Sequence, residues 1–169
     1  ELIASGWSKE AIRKETSMSP STIIRFFQGG NNRNKQVFKK LLPLRGQPPL
    51  TVHVTGGGKG ASAVWMAVER TEAIAGLHER LMEALRGFER PGGGSGAFFE
   101  SDARVGDVVW VTGYRLKSSL SAYTPHITLG HASEPPPIDP FTFEATTVAA
   151  CHLGRFCTCR RVLRSWELA

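Results

Sequence analysis

The sequence predicts an α+β domain of mostly antiparallel strands over residues 46–169, preceded by a helical N-terminal segment over residues 1–45. The composition changes at RGQPPL (45–50), a linker-like stretch after which helix-start signals give way to short β-type runs. A single long amphipathic pattern lies among these runs, which is typical of a helix packed against a sheet.

The N-terminal segment carries helix signals in three stretches. SKEAIRKETSM (8–18) begins with a capping serine, and SPSTIIRFFQGG (19–30) has a proline at its first helical position and glycines at its end. NKQVFKKLLP (34–43) predicts a third helix that proline stops. The first two stretches resemble the helix-turn-helix of transcriptional regulators, whose second helix enters the major groove. DNA binding through residues 8–30 is therefore the alternative functional interpretation.

Beyond the linker, alternating patterns predict short strands around one helix. LTVHVT (50–55) and ASAVWMAVE (61–69) flank a glycine-rich turn. ERTEAIAGLHERLMEALRGF (69–88) predicts an amphipathic helix, with His78 on its charged, solvent-facing side. The residues expected in its buried stripe are Ile74, Leu77, Leu81, Met82 and Leu85. The remaining predicted strands are GDVVWVTGYRL (106–116), residues 125–130, FTFEATTVAACHL (141–153) and CTCRRVLRSWEL (157–168).

Composition limits the classes of partner and cofactor. A net charge of +6 over 169 residues favours a polyanionic partner, with nucleic acid ahead of acidic lipid. Cys151, Cys157 and Cys159 are too few and too clustered for a secreted disulfide framework, and with His152 they lack zinc-site spacing. The sequence shows no membrane span and no signal-peptide pattern. We therefore expect an intracellular protein, cytoplasmic or nuclear, with no metal, no cofactor and no membrane partner; its oligomeric state stays open.

Two histidine-x-threonine triplets are the strongest chemical signal. His53 and Thr55 lie in LTVHVTGG, and His126 and Thr128 lie in YTPHITLGHA. Side chains alternate along a strand, so the histidine and threonine of each triplet project from one face. A single triplet is readily explained as a hydrogen-bonded pair, but such a triplet is expected only about 0.2 times by chance in a chain of this length. The pair of triplets favours a functional interpretation.

Two such triplets about 70 residues apart, the second within PHITLGHA, resemble the 2H phosphoesterase superfamily. This superfamily includes the 2',3'-cyclic phosphodiesterases and the cyclic phosphodiesterase domains of tRNA ligases. PFTF and the closing pair of predicted strands extend the resemblance, which covers residues 46–169. It implies two lobes of sheet around a central cleft, one triplet from each lobe, and RNA or a cyclic nucleotide as the partner.

The resemblance also implies roles for the four triplet residues. His53 and His126 would act as general base and general acid on a 2',3'-cyclic phosphate, because imidazoles titrate near neutral pH. The hydroxyls of Thr55 and Thr128 would donate to the non-bridging phosphate oxygens. Such a mechanism needs no metal, and the sequence does not show which histidine is the base.

Further residues and one alternative alignment stay open. Tyr123, just before the second triplet, would stack on a base, and Arg115 and Lys117 would meet the RNA backbone from the end of the preceding predicted strand. The alternative places PSTIIRFFQGG (20–30) at the first motif, with Ser21 where the histidine belongs. That alignment predicts a degenerate domain that binds RNA without hydrolysing it.

Overall fold

A computed structural model describes residues 21–26, 38–41, 44, 46–60, 63–89 and 92–169, with the backbone alone described over 21–26. The helix predicted over 8–18 lies outside the described residues. Of the helix predicted over 34–43, residues 38–41 are described, and 38–40 are helical. Among the described helices, none is long and apolar enough to cross a membrane.

Besides the helical residues 38–40, the described fold has seven strands and two α-helices with defined bounds. In chain order they are β1 (Ser21–Phe26), β2 (Leu50–Lys59), β3 (Ala63–Val68), α1 (Glu72–Leu85), α2 (Val105–Lys117), β4 (His126–His131), β5 (Phe141–Ala145), β6 (Thr147–Leu153) and β7 (Cys159–Glu167). Short 3₁₀ turns lie between several of them.

The strands form two sheets. One has the order β4-β3-β2-β5 and is antiparallel throughout; the other has the order β1-β6-β7, with β1 parallel to β6. The predicted α+β class with mostly antiparallel sheets is confirmed. Both triplets lie in the four-stranded sheet, on β2 and β4, so the expectation of one triplet from each lobe is wrong.

Alternation along β2 divides its side chains between a buried and a more exposed face of this sheet. Leu50, Val52 and Val54 are buried, whereas His53 is half-buried and Thr55 is exposed. The buried side packs on α1, whose predicted stripe is confirmed by the burial of Ile74, Leu77, Leu81 and Met82 and by the contact of Leu85 with the same core. The other side of the sheet is left for polar groups.

His78 on α1 is buried, and the prediction that it faces solvent is wrong. It is 8 % exposed, its Nε2 accepts a hydrogen bond from the Leu120 backbone N–H at 3.0 Å, and its ring stacks on Tyr123. Burial lowers the pKa of His78, with the Arg70 charge adding to the effect. A neutral ring that packs and accepts one hydrogen bond explains why a histidine is tolerated there.

The stretch predicted as a strand over 106–116 is helix α2. Its start is capped by a carboxylate, because Asp107 accepts the Arg104 backbone N–H at 2.9 Å. Val108 and Val111 pack towards the core one turn apart, while Val105 is 81 % exposed. The β-branched residues favoured a strand by propensity, and the cap together with these tertiary contacts overrides that preference.

The N-terminal segment contributes a strand where a helix was predicted. Ser21–Phe26 pair in parallel register with β6, so the predicted helix over 19–30, and with it the DNA-reading helix of the helix-turn-helix, is wrong at these residues. Ser21 lies opposite Thr147 in the three-stranded sheet. His126 lies in the four-stranded sheet, and the alternative first motif stays a prediction. The domain division at residue 46 stays a prediction.

Candidate active site

The two triplets project from one face of the four-stranded sheet. Val54 is buried and lies opposite Val68 on β3, so His53 beside it points to the other face. Ala67, the neighbour of Val68, lies opposite His126 on β4. Directly opposed residues of an antiparallel pair share a face, which brings both imidazoles to the same side.

The separation of the two histidines follows from the strand register. One strand, β3, lies between them, and His126 is level with Ala67 while the His53 carbonyl accepts the Glu69 backbone N–H at 2.9 Å. Two strand spacings across the sheet and two residues along it place their Cα atoms about 12 Å apart. Both imidazoles therefore border the stretch of sheet surface that β3 contributes.

His126 has its tautomer fixed by its hydrogen bond. Its Nδ1 lies 2.9 Å from the backbone carbonyl oxygen of Thr124. A carbonyl only accepts, so Nδ1 carries the proton and donates it. Nε2 of the exposed ring is therefore the nitrogen left open to a ligand.

His53 is held by a side chain that the sequence interpretation missed. Its Nδ1 lies 2.9 Å from Oγ1 of Thr142, the residue directly opposite it on β5. A hydroxyl both donates and accepts, so it accommodates every protonation state of the imidazole. The signal available in the sequence was PFTF, but only the register of β2 against β5 shows that its threonine meets His53.

Each triplet ends at an irregularity in its strand. A bulge between Val54 and Gly56 leaves Thr55 unpaired, and a second irregularity in the β3–β4 pairing falls after Thr128. The glycine that closes each of these stretches has positive φ, 151° at Gly56 and 144° at Gly130. Side chains rarely adopt such values, which accounts for a glycine after each triplet.

The threonine hydroxyls both lie on this face and differ in their surroundings. Thr55 Oγ1 donates to the carbonyl oxygen of Ala67 at 3.4 Å, a long and weak contact. Thr128 is exposed and lies opposite Trp65. Neither hydroxyl is committed to a short bond that a phosphate oxygen could not replace.

Trp65 lies between the two triplets and is a second residue that the sequence interpretation missed. Its ring centroid is 5.4 Å from that of His126, and its indole covers Gly58, where an added Cβ would come within 2.3 Å of Nε1. The glycines of TGGGKG thus leave room for an indole over β2. The glycine-rich turn predicted at these residues is wrong, because strand β2 continues through Lys59.

The three expected substrate contacts lie elsewhere. Tyr123 stacks on His78 with ring centroids 3.8 Å apart and packs against the main core, which uses its ring for structure. Arg115 is on helix α2, where it is paired with Glu89 and donates to the Met82 carbonyl at 2.8 Å. Lys117 is the last residue of the same helix and is exposed. None of the three belongs to the face that carries the histidines, and their contact with RNA stays a prediction.

The cysteine region is part of the second sheet. Cys151 is buried on β6, and Cys157 and Cys159 are half-buried. Within the described residues, no group of three or more His, Cys, Asp or Glu side chains is arranged to hold a metal ion.

A model of the 2'-5' RNA ligase superfamily matches residues 35–161. No curated protein and no solved structure matches the chain significantly. The match spans both triplets, the intervening strand and both helices, and it covers well over half of the chain. The protein belongs to the 2'-5' RNA ligase superfamily, which is the 2H phosphoesterase superfamily. This membership assigns it to the phosphoesterase- and ligase-type enzymes that act on RNA-type substrates.

Proposed function

We propose that the protein is a metal-independent cyclic phosphodiesterase that opens 2',3'-cyclic phosphate ends of RNA or nucleotides. The observation that supports this most is the shared sheet face of His53 and His126, each with its Nδ1 hydrogen-bonded. A hydrogen bond at Nδ1 leaves Nε2 to face a ligand on that side. One imidazole would act on the attacking water, and the other on the leaving ribose oxygen.

In the proposed reaction, water attacks phosphorus as one neutral imidazole takes its proton. The bond from phosphorus to one ribose oxygen breaks, and the other, protonated imidazole gives that oxygen a proton. The product is a ribose monophosphate with one free hydroxyl. The two histidines exchange their protonation states, and proton exchange with solvent restores them.

Charge builds on the non-bridging oxygens as water adds to phosphorus. The Thr55 and Thr128 hydroxyls lie beside the histidines on the same face and would donate to these oxygens. Trp65, next to His126, would offer its ring to the base of the terminal nucleotide. Replacing water by an RNA hydroxyl as the nucleophile would turn the same acid–base chemistry into ligation.

The proposal is tested by incubating the protein with a 2',3'-cyclic mononucleotide and following the ring-opened monophosphate by ³¹P NMR. We expect turnover by the native protein and by Thr51→Val, a matched control on the same face of β2. His53→Ala and His126→Ala should each remove nearly all of it. Absence of turnover in the native protein, or full turnover in both histidine variants, would refute the assignment.

A further inference from the structure

A cluster of cationic and aromatic side chains lies around Phe156, outside the two triplets. The Arg104 guanidinium carbon is 3.6 Å from the Phe156 ring centroid, and that of Arg155 is 5.5 Å away. The His131 ring lies 4.4 Å from the same centroid, tilted by 58°. We refer to His131, Phe156, Arg104 and Arg155 as the Phe156 site.

This site is held in place by a buried carboxylate. Asp107, 3 % exposed, accepts from the Arg104 guanidinium at 2.7 Å and from the Phe156 backbone N–H at 3.0 Å. The Arg104 hydrogen bond lowers the pKa of Asp107 to about 2, so it is charged at neutral pH. The anchoring leaves Phe156 40 % exposed at φ 60°. Such a backbone conformation is strained for a residue with a side chain and often accompanies function.

The Phe156 site lies at the far end of the face that carries the histidines. His131 is opposite Ala63, which shares a face with Trp65 and therefore with His126. His131 is five positions beyond His126 along β4, which corresponds to about 17 Å. A mononucleotide held at the histidines cannot span that distance, whereas a short oligonucleotide can.

The charges around Phe156 are complementary to a polyanion. Asp107 balances Arg104, but among the described residues no carboxylate lies within salt-bridge distance of the exposed Arg155. The stem of Arg160 packs over Gly154 in the same turn, where an added Cβ would come within 2.2 Å of its Cγ. An unbalanced guanidinium, here that of Arg155, beside an exposed aromatic ring is typical of single-stranded nucleic acid sites.

We propose that the Phe156 site binds single-stranded RNA on the 5' side of the terminal nucleotide, with Arg155 on a backbone phosphate. This inference rests on the proposed function for its polarity, because a chain that ends in a 2',3'-cyclic phosphate extends only in the 5' direction. The RNA follows β4 from His126 towards His131. RNA chains therefore bind more tightly than free nucleotides, because only the chains reach the Phe156 site.

The test compares binding of a fluorescent hexanucleotide with a 3'-terminal phosphate with binding of a nucleoside 3'-monophosphate, at several salt concentrations. Arg155→Ala should weaken the hexanucleotide about tenfold, and its salt dependence should lose close to one phosphate contact, about 0.7 in log–log slope for a single strand. Arg164→Ala is the matched control, since it removes one exposed positive charge from β7 without touching Phe156. Phe156→Leu should also weaken the hexanucleotide, by loss of the aromatic ring.

The inference is supported if Arg155→Ala and Phe156→Leu weaken binding of the hexanucleotide, while binding of the monophosphate is unchanged and Arg164→Ala has little effect. Equal weakening by Arg155→Ala and Arg164→Ala would overturn it, because RNA would then sense only net charge. A native protein that binds the hexanucleotide no tighter than the monophosphate would also overturn it. These are binding measurements, so they stand apart from the proposed function: a protein without ring-opening activity that still depends on Arg155 keeps the RNA site and loses the hydrolase.

Discussion

The two triplets have the same sequence pattern and different hydrogen-bond partners. His126 donates from Nδ1 to a backbone carbonyl two residues before it, so its partner is local and its tautomer is fixed. His53 meets the Thr142 hydroxyl from a strand 89 residues away, and that hydroxyl serves as donor or acceptor. The orientation of the His126 ring therefore depends on a residue next to it in the chain. The orientation of the His53 ring depends on the pairing of β2 with β5.

The largest expected effect is on the histidines themselves. His126→Ala and His53→Ala should each lower turnover of a cyclic mononucleotide by about 10²–10⁴-fold, because each removes one acid–base partner. Single-turnover rates with ³¹P detection measure this loss. If one variant keeps native turnover while the other is inactive, the reaction uses only one histidine, and the proposed pair of acid and base is wrong.

The threonines come next and should separate the two triplets. Thr128→Val should lower turnover by about 10²–10³-fold with packing preserved, because a well-placed donor to the charged phosphate is lost. Thr55→Val should cost less, since its hydroxyl already contacts the Ala67 carbonyl. The comparison uses kcat/KM with Thr51→Val as control. Native activity in Thr128→Val would mean that its hydroxyl serves only the strand.

Thr142 is a positioning residue for His53 and should have a smaller effect. Thr142→Val should lower kcat/KM about fivefold, the factor that corresponds to about 1 kcal/mol for one hydrogen bond. The limb of the pH–rate profile that depends on His53 should move, and Thr142→Ser should restore both readouts. A loss that serine does not rescue, without any change in the pH profile, would reduce Thr142 to a structural role.

At Gly58 the expected effect is on stability. An added methyl group would displace the Trp65 indole, so Gly58→Ala should lower the free energy of unfolding by about 1–3 kcal/mol. Gly94→Ala is the control, because Gly94 has φ −141° and open space around its Cβ position. Chemical denaturation measures both variants, and equal stability of the two would show that the indole moves freely.

The strands that carry the triplets were predictable because alternation is a local signal. LTVHVT and PHITLG alternate over their whole lengths, and the stripe on α1 has clear helical spacing. Non-local effects explain the errors. The valines of α2 favour a strand by propensity, and Ser21–Phe26 become a strand by pairing with β6, a partner more than 100 residues away.

The supporting residues of the site depend on register, which the sequence pattern does not reveal. Thr142 meets His53 because β5 pairs with β2, and Trp65 covers Gly58 because β3 lies opposite it. Neither position carries a motif by itself. The triplets could therefore be found from the sequence, whereas the groups that hold and flank them required the paired strands.

The most direct test of the central claim, that His53 and His126 act together on one phosphate, is the pH dependence of kcat/KM for a 2',3'-cyclic mononucleotide in the presence of EDTA. The account predicts undiminished activity with chelator and a bell-shaped profile around neutral pH, since one imidazole must be neutral while the other is charged. Each histidine variant should lose the bell along with the activity. A flat profile between about pH 5 and 9, or an activity that EDTA abolishes, would contradict the account.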